Sequence, residues 1–221
     1  SWYPGFPSSY NTSLYILKNL GKLNKWLKGN TAEYQPEQQK LVAALIAYVD
    51  AEANNNYRNI KTENIISDPV LDYLDTRHYW ESQYPLKGTG AALKSKLIQA
   101  APKADIRGYT FFGLHRAAML FDAYKLTALS KKLLTYMRET STQSETQGVY
   151  WKKNLNDWGW YSSKAVNHAG ALEAFQALAP QDQNFIEEVK IWLAKQKEVS
   201  HWGSSRGTAE VIYTFLNSGK S

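Results

Sequence analysis

Two of the four histidines stand beside side chains with which they could do acid–base, metal or anion chemistry. Asp75 and His78 are three residues apart, so on a helix they share a face and could form a proton-transfer pair or supply two metal ligands. His115 and Arg116 follow the aromatic run GYTFFGL and could hold an anion. The alternative is that these residues have structural roles. Asp75 and His78 would then form a helix-end ion pair, or the imidazole would be buried. His115 would contact a neighbouring helix, and Arg116 would extend to solvent.

Carboxylates are the second candidates for chemistry. A glycosidase needs two of them, about 5 to 10 Å apart across a cleft. Asp122, Asp157 and Glu173 are available, but the sequence pairs none of them, and Asp157 is the best single candidate. His168 lies five residues before Glu173, a spacing that does not bring two side chains onto one helix face. No third metal ligand, phosphate loop or dinucleotide fingerprint is present, so we expect no metal and no cofactor.

Tryptophans are concentrated in one region. Trp151, Trp158, Trp160 and Trp202 make up half of the eight in the chain, and His201 precedes the last of them. Such rings could stack on sugars, cover the ends of helical hairpins, or contact a neighbouring domain. Trp158, Trp160, His201 and Trp202 are therefore candidate interface residues, with packing at the hairpin ends as the alternative.

The elements that position these residues are helical almost throughout. Apolar residues recur at helical spacing along about nine segments, and Ser8 or Ser9, Pro36 and Pro69 mark helix starts, whereas Pro102 ends a helix. The stretch GVYW at 148–151 is too short to predict more than a minor strand. Loops are mostly short, which makes consecutive helices antiparallel neighbours. We therefore predict an all-α fold and a single domain over residues 1–221.

Composition narrows the function classes. The chain is 43% hydrophobic and 14% aromatic, enough for a real core, and it has no apolar run of the roughly 20 residues that a bilayer span needs. The net charge of +6 comes from scattered Lys and Arg interleaved with acids, so we expect a solvated surface and no nucleic-acid partner. The absence of Cys excludes disulfides and thiolate chemistry. The abrupt start, SWYPGFPSSY, is typical of a domain from a longer protein.

One pattern occurs twice. The stretch WGWYSSKAVNHAGALEAFQAL (158–178) and the stretch HWGSSRGTAEVIYTFL (201–216) each run from a Trp-Gly-Ser-Ser-basic loop into an apolar helix. Ser163 aligns with Ser205, and the period of about 40 residues fits one helical hairpin. Stacked hairpins form an open solenoid or a closed α/α toroid. The Ser hydroxyls are expected to cap the helices, with both Trp-Gly loops at one end.

Three segments carry a resemblance to a known family. SWYPGFPSSYNTSLYILKNLGKLNKWL, ETQGVYWKKN and above all VKIWLAKQKEVSHWGSSRGTAEVIYTFLNSG resemble bacterial α-2-macroglobulin-like proteins. The similarity is to their helical domain that corresponds to the thioester-containing domain of complement and macroglobulins. It implies an α/α toroid inside a much larger multidomain chain, in the periplasm or outer cell envelope. The family usually has six helical hairpins, which is twelve helices, whereas about nine are predicted here. The ring could therefore be incomplete.

The resemblance also implies a function, and this chain departs from it at one point. Such proteins entrap a broad spectrum of proteases after a bait segment is cut, and thioester-bearing relatives bond to the target through a Cys-Gly-Glu-Gln motif. The nearest counterpart here, PGFPSSYNT at 4–12, has no Cys, and a hydroxyl cannot replace the thiolate leaving group. We therefore expect a non-catalytic unit whose partners are neighbouring domains and target proteases. The alternative is a carbohydrate-active α/α-toroid glycosidase or lyase that uses Asp157.

Overall fold

The computed structural model describes residues 8–27, 36–155, 159–197 and 202–218. The chain divides into two compact units, Ser1–Ala104 and Asp105–Ser221. Across the described residues the fold is all-α, with nine α-helices and one short β-hairpin. The prediction of an all-α fold is thus confirmed. The single domain over 1–221 and the closure of the hairpins into a toroid stay predictions.

The first unit consists of two helical hairpins. Its helices are α1 (Tyr10–Leu27), α2 (Pro36–Tyr57), α3 (Asp68–His78) and α4 (Gly88–Ala100), with 3-10 turns at Thr62–Asn64 and Ala101–Lys103. In this unit α1 packs beside α3 and α2 packs beside α4.

The start and stop signals in the sequence of this unit are confirmed. Ser9 accepts a hydrogen bond from the Thr12 N–H (3.3 Å) at the start of α1, and α2 begins at Pro36. Pro69 occupies the second position of α3, and α4 ends at Ala100, before Pro102. These signals are local because proline lacks an N–H and a serine hydroxyl can replace one missing helical acceptor.

Close packing and buried charge hold α1 against α3. The indole N–H of Trp80 donates to the Leu17 carbonyl at 3.0 Å, and a Cβ on Gly21 would lie 2.6 Å from the Tyr79 Cβ. Lys18 forms a buried ion pair with Asp75. A glycine is needed at position 21 because any side chain there would enter the Tyr79 ring.

The second unit contains five helices and the hairpin. After a 3-10 turn at Ile106–Gly108 come α5 (Phe111–Ala123), α6 (Thr127–Glu139), β1 (Thr142–Ser144), β2 (Gly148–Tyr150), a 3-10 turn at Lys152–Asn154, α7 (Lys164–Leu178), α8 (Gln183–Lys195) and α9 (Ser205–Ser218). Helix α7 lies between α5 and α9, α6 packs on α5, and α8 packs on β2 and α7.

Helices α5, α7 and α9 form a row whose N-terminal ends lie together. His115 on α5 bonds to Asn167 on α7 (3.2 Å), and a Cβ on Gly207 of α9 would lie 3.2 Å from the Ala165 Cβ of α7. Further along, Gln176 donates to the Thr214 carbonyl (3.2 Å). Early residues meet early residues and late residues meet late ones, so neighbours in the row run parallel.

The hairpin is a two-stranded antiparallel sheet between α6 and α7. The strand that begins GVYW, expected to be minor, pairs antiparallel with β1, with Gln143 opposite Val149. Gly148 has φ +83°, and a Cβ there would lie 2.2 Å from the Glu188 carbonyl oxygen of α8. Only glycine permits both that conformation and such a close approach to the α8 backbone.

Candidate protein-docking surface

Two of the four predicted interface residues, Trp160 and Trp202, lie in the described part of the chain. The Trp202 ring is 9% exposed, its indole N–H donates to the Leu193 carbonyl (2.6 Å), and its edge meets Phe215. Trp160 is half-buried under the Arg206 guanidinium, 4.1 Å from the ring centroid. Trp158 and His201, and the candidate carboxylate Asp157, lie outside the described residues. The interface role of the four stays a prediction.

Side chains from three elements fix the loop that contains Trp160. Arg206 of α9 donates to the Trp160 carbonyl (2.7 Å), and Asn167 of α7 donates to the Tyr161 carbonyl (3.0 Å). Asn154 donates to the Ser162 carbonyl (3.4 Å). Three successive carbonyls thus have side-chain donors, and the loop is anchored to the N-terminal ends of α7 and α9.

The two repeats begin their helices in different ways. Helix α9 is capped by Ser204, whose hydroxyl oxygen accepts from the Gly207 N–H at 3.0 Å, as expected for the repeated serines. Ser163, which directly precedes α7 as Ser204 directly precedes α9, makes no such hydrogen bond. The serine-cap prediction is therefore confirmed for α9 and wrong for α7, where the carbonyls of the preceding loop are fixed instead.

Helix α9 buries two polar side chains and exposes two large apolar ones. Its inner face contains Glu210 and Thr214 as well as Val211. Its outer face exposes two large apolar side chains, Ile212 (45%) and Leu216 (61%), one turn apart. A helix at the surface of a globular protein usually has the opposite arrangement.

A groove follows the same face. It encloses about 550 Å³, and its lining residues are Gly203, Ser204, Ser205, Thr208, Ala209 and Ile212. Small and hydroxyl-bearing residues form its N-terminal end, and apolar side chains form the other. We call the residues Ser205, Ala209, Ile212 and Leu216 the α9 stripe, because their spacing of four, three and four places them on one side of the helix.

A buried charged group lies on the inner side of the row. Arg116 of α5 is 5% exposed, and burial lowers the pKa of its guanidinium, while the carboxylates of Glu210 and Glu173 act in the opposite direction. The expectation that Arg116 extends to solvent is therefore wrong. Its side chain remains among the row's helices because two buried carboxylates offset the loss of hydration.

The two histidines of the predicted Asp75–His78 and His115–Arg116 pairs both contact structural neighbours. Asp75 pairs with Lys18, and His78 lies against the Tyr79 ring with centroids 4.3 Å apart. Burial lowers the pKa of His78, an effect that the Asp75 charge opposes. His115 bonds to Asn167 on the adjacent helix, as the structural interpretation expected.

His168 is enclosed completely. Its Nε2 accepts from the Trp151 backbone N–H (3.1 Å), its Nδ1 bonds to the Lys164 carbonyl (2.7 Å), and its ring stacks on Trp192 with centroids 4.0 Å apart. Burial lowers the pKa of His168 to about 3, so the ring is neutral at physiological pH. Nδ1 is therefore the protonated nitrogen, and the ring joins the hairpin to α7.

The carboxylates proposed for hydrolysis are not brought into a facing pair within the described chain. Asp122 accepts from the Thr127 hydroxyl (3.3 Å) in the turn between α5 and α6, whereas Glu173 is buried beside Arg116.

In the ranges that the structure describes, no three His, Asp or Glu side chains cluster as metal ligands would. None of the helices within those ranges combines the length and apolar character needed to cross a bilayer.

The α9 stripe was not identified from the sequence, although a signal for it exists. Val211 and Ile212 are adjacent, and so are Phe215 and Leu216. Neighbouring helical residues point about 100° apart, so one partner helix cannot cover both members of each pair.

A comparison with protein-family models gives no match for this chain, and a search of curated proteins gives none either.

Proposed function

We propose that the chain is a non-catalytic, thioester-less helical unit of a macroglobulin-like protease trap and that it acts through contacts with other proteins. The partners are neighbouring domains of a larger parent chain and the captured protease, in the periplasm or outer envelope. The family part of the proposal comes from the resemblance in segments 1–27, 145–154 and 189–219. The contact part comes from the fold.

The α9 stripe is the observation that carries the proposal. Ile212 and Leu216 are exposed on a helix that buries Glu210 and Thr214 instead. Exposing two large apolar side chains while burying a carboxylate is unfavourable for an isolated unit, because about half of each apolar side chain stays in water and complete burial would contribute about 1.5 to 3 kcal/mol each. A protein partner on this face would recover part of that free energy.

The stacked hairpins of both units are consistent with the helical architecture of such traps. The row of parallel helices α5, α7 and α9 contains the small residues Gly170 and Gly207, which permit close approach between helices. The Trp160 loop is fixed by three side-chain donors, so it is preorganised to present its surface without an ordering cost.

The test uses the full-length parent protein and two proteases of different specificity. Wild-type protein should prevent the captured protease from cleaving a large protein substrate while leaving cleavage of a small peptide substrate intact. Replacing both exposed residues, Ile212→Asp with Leu216→Asp, should reduce the protected fraction at least tenfold. The matched control is Ile191→Asp, which changes a comparably exposed isoleucine (41%) on α8 and should protect as wild type does.

Two results would contradict the proposal. If wild-type parent leaves both substrates equally cleaved, the chain does not belong to a protease trap. If the double variant and Ile191→Asp protect equally, the α9 stripe does not contribute to the function. Hydrolysis of a polysaccharide by the wild-type chain, lost in Asp157→Asn, would instead favour the carbohydrate-active alternative.

A further inference from the structure

We infer that Lys18 and Asp75 react with each other inside the first unit and form an intramolecular isopeptide bond between α1 and α3. The bond is an amide that joins the Lys18 Nζ to the Asp75 Cγ. It is independent of the docking function proposed for the second unit. Two features carry the inference: the reactive groups are enclosed in direct contact, and a histidine able to move a proton lies near them.

The two reactive groups already meet in the folded chain. The Lys18 Nζ contacts a carboxylate oxygen of Asp75, although the residues are 57 positions apart in the sequence. Packing between the helices maintains this contact, because the Trp80 indole N–H donates to the Leu17 carbonyl (3.0 Å) and Gly21 permits close approach. Well-oriented groups within one molecule react as if their concentration were about 10⁵ to 10⁸ M, so this arrangement favours condensation.

The pair is also removed from water. The Lys18 side chain is 5% exposed and the Asp75 side chain 2% exposed, and the apolar residues Leu14, Leu71 and Leu74 of the same two helices are fully buried. Because burial penalises charged forms, an enclosed ammonium and carboxylate exchange a proton more readily than they would in solvent. The resulting neutral amine is the nucleophilic form of lysine, and the exclusion of solvent protects the amide product from hydrolysis.

The reaction is a condensation that needs no other reagent. The Lys18 ammonium passes one proton to the Asp75 carboxylate, and the neutral Nζ then attacks Cγ to give a tetrahedral intermediate. The Nζ–Cγ bond forms, one Cγ–Oδ bond breaks, and the leaving hydroxyl takes a proton from the nitrogen. The products are one neutral amide and one water, so no oxidant, reductant or cofactor takes part.

His78 is placed to carry the proton from the attacking nitrogen to the leaving hydroxyl. It follows Asp75 by three residues, so the two side chains leave α3 on the same side. Burial lowers the pKa of His78, and the charge of Asp75 opposes this effect. The imidazole is therefore neutral near pH 7 and lies within electrostatic range of that carboxyl group. A neutral imidazole can accept a proton at one step and return it at the next.

The bond would stabilise the first unit. A cross-link between distant positions restricts the unfolded chain, as a disulfide does, and this chain has no cysteine with which to form a disulfide. An amide, unlike a disulfide, also withstands reducing agents.

Intact-mass spectrometry of the purified 221-residue chain tests the bond without any variant. The wild-type chain should be about 18 Da lighter than its sequence requires, because the condensation releases one water. Circular dichroism verifies that the sample is folded.

A tryptic digest locates the bond. Trypsin cleaves after lysine and arginine but not after an acylated lysine, so the digest should contain residues 1–22 joined to residues 62–77. Fragmentation of this species should place the link on Lys18 and Asp75. The joined species distinguishes the isopeptide from a cyclic imide at a single aspartate, which has the same mass loss.

Variants assign the reaction to its atoms. Asp75→Asn should still form the amide but release ammonia, so its mass should fall by about 17 Da. Lys18→Gln should keep its full mass. The matched control is Lys22→Gln, which changes the other buried lysine of α1 (2% exposed) and should lose one water as wild type does. After cell-free synthesis, His78→Gln should lose water at least tenfold more slowly but reach the same end point, because a proton carrier changes the rate only.

Three results would contradict the inference. A folded wild-type chain that keeps its full mass after several days would show that the pair remains ionic. A link through Lys22, or a loss of water that persists in Lys18→Gln, would show that other groups react. If His78→Gln loses water as fast as wild type, the histidine does not carry the proton.

Discussion

Helices α7 and α9 begin with the same kind of loop yet have very different environments. They start 41 residues apart, at Lys164 and Ser205 (205 minus 164), after similar Trp-Gly-Ser-Ser segments. All eleven residues from 165 to 175 of α7 are buried, whereas α9 exposes the whole α9 stripe. A repeated sequence therefore produces an interior helix in one place and an edge helix in the other, because burial depends on what lies on both sides.

The difference also appears in how each helix uses polar residues. In α7, His168 is neutral and hydrogen-bonded at both nitrogens to the backbone. In α9, Arg206 donates to the Trp160 carbonyl, and its guanidinium lies over the Trp160 ring, so it holds that loop in place. Polar groups inside α7 thus join elements of the core, while the polar start of α9 fixes a surface loop near the α9 groove.

The sharpest contrast between the two helices is their tolerance of added volume. A Cβ on Gly170 of α7 would lie 2.3 Å from the His115 ring, so Gly170→Met should destabilise the fold by about 3 kcal/mol. The same side chain added on the exposed face of α9, in Ala209→Met, should change the free energy of unfolding by less than about 0.5 kcal/mol. Chemical denaturation of both variants measures this, and equal losses would show that α9 is covered as α7 is.

Acid should act on α7 through His168. Burial lowers its pKa from 6.5 to about 3; the hydrogen bond to the Lys164 carbonyl opposes this, and the charges of His115 and Lys164 add to it. The unfolded state therefore binds a proton first, and the stability from the neutral ring is full above pH 6.5 and lost as the pH falls toward 3. Between pH 6 and 4 this group should lower the unfolding free energy by about 1 kcal/mol for each pH unit of acidification.

His168→Gln tests that slope. Glutamine can retain a hydrogen bond but does not titrate, so the variant should lose stability less steeply than wild type between pH 6 and 4. Between pH 7 and 8 the two slopes should coincide, which serves as the internal control. Parallel curves over the acid range would mean that His168 titrates normally in the folded chain.

The smallest effect is expected at the α9 stripe. Ile212→Ser should alter the thermal midpoint of the isolated chain by little, equivalent to less than about 0.5 kcal/mol, because a side chain 45% exposed has few neighbours to lose. Ile186→Ser on α8, where the isoleucine is 3% exposed, should cost about 3 kcal/mol or more as the comparison. A large loss in Ile212→Ser would mean that the stripe contributes to the fold and is not a free surface.

Local signals in the sequence predicted the elements well. Apolar spacing, prolines at helix ends and the Ser9 cap depend on interactions within one or two turns, so they can be identified without knowing the neighbours. The Trp-Gly-Ser-Ser repeat also predicted a hairpin period close to the observed one. The serine cap of α7 was predicted wrongly. The exposure of Arg116 was predicted wrongly because its burial depends on Glu173 and Glu210, which are distant in the sequence.

The sequence by itself determined that this protein is helical, that it lacks a thiol for covalent capture, and that two similar loop–helix units follow one another. The tertiary structure alone decided which of those helices is enclosed and which is open. It buried Glu210 beside Arg116 and exposed Ile212, the reverse of what residue type suggests. The physical reason is that residue type determines the cost of exposing a side chain, whereas the position of its helix in the row determines whether a neighbour is there to cover it.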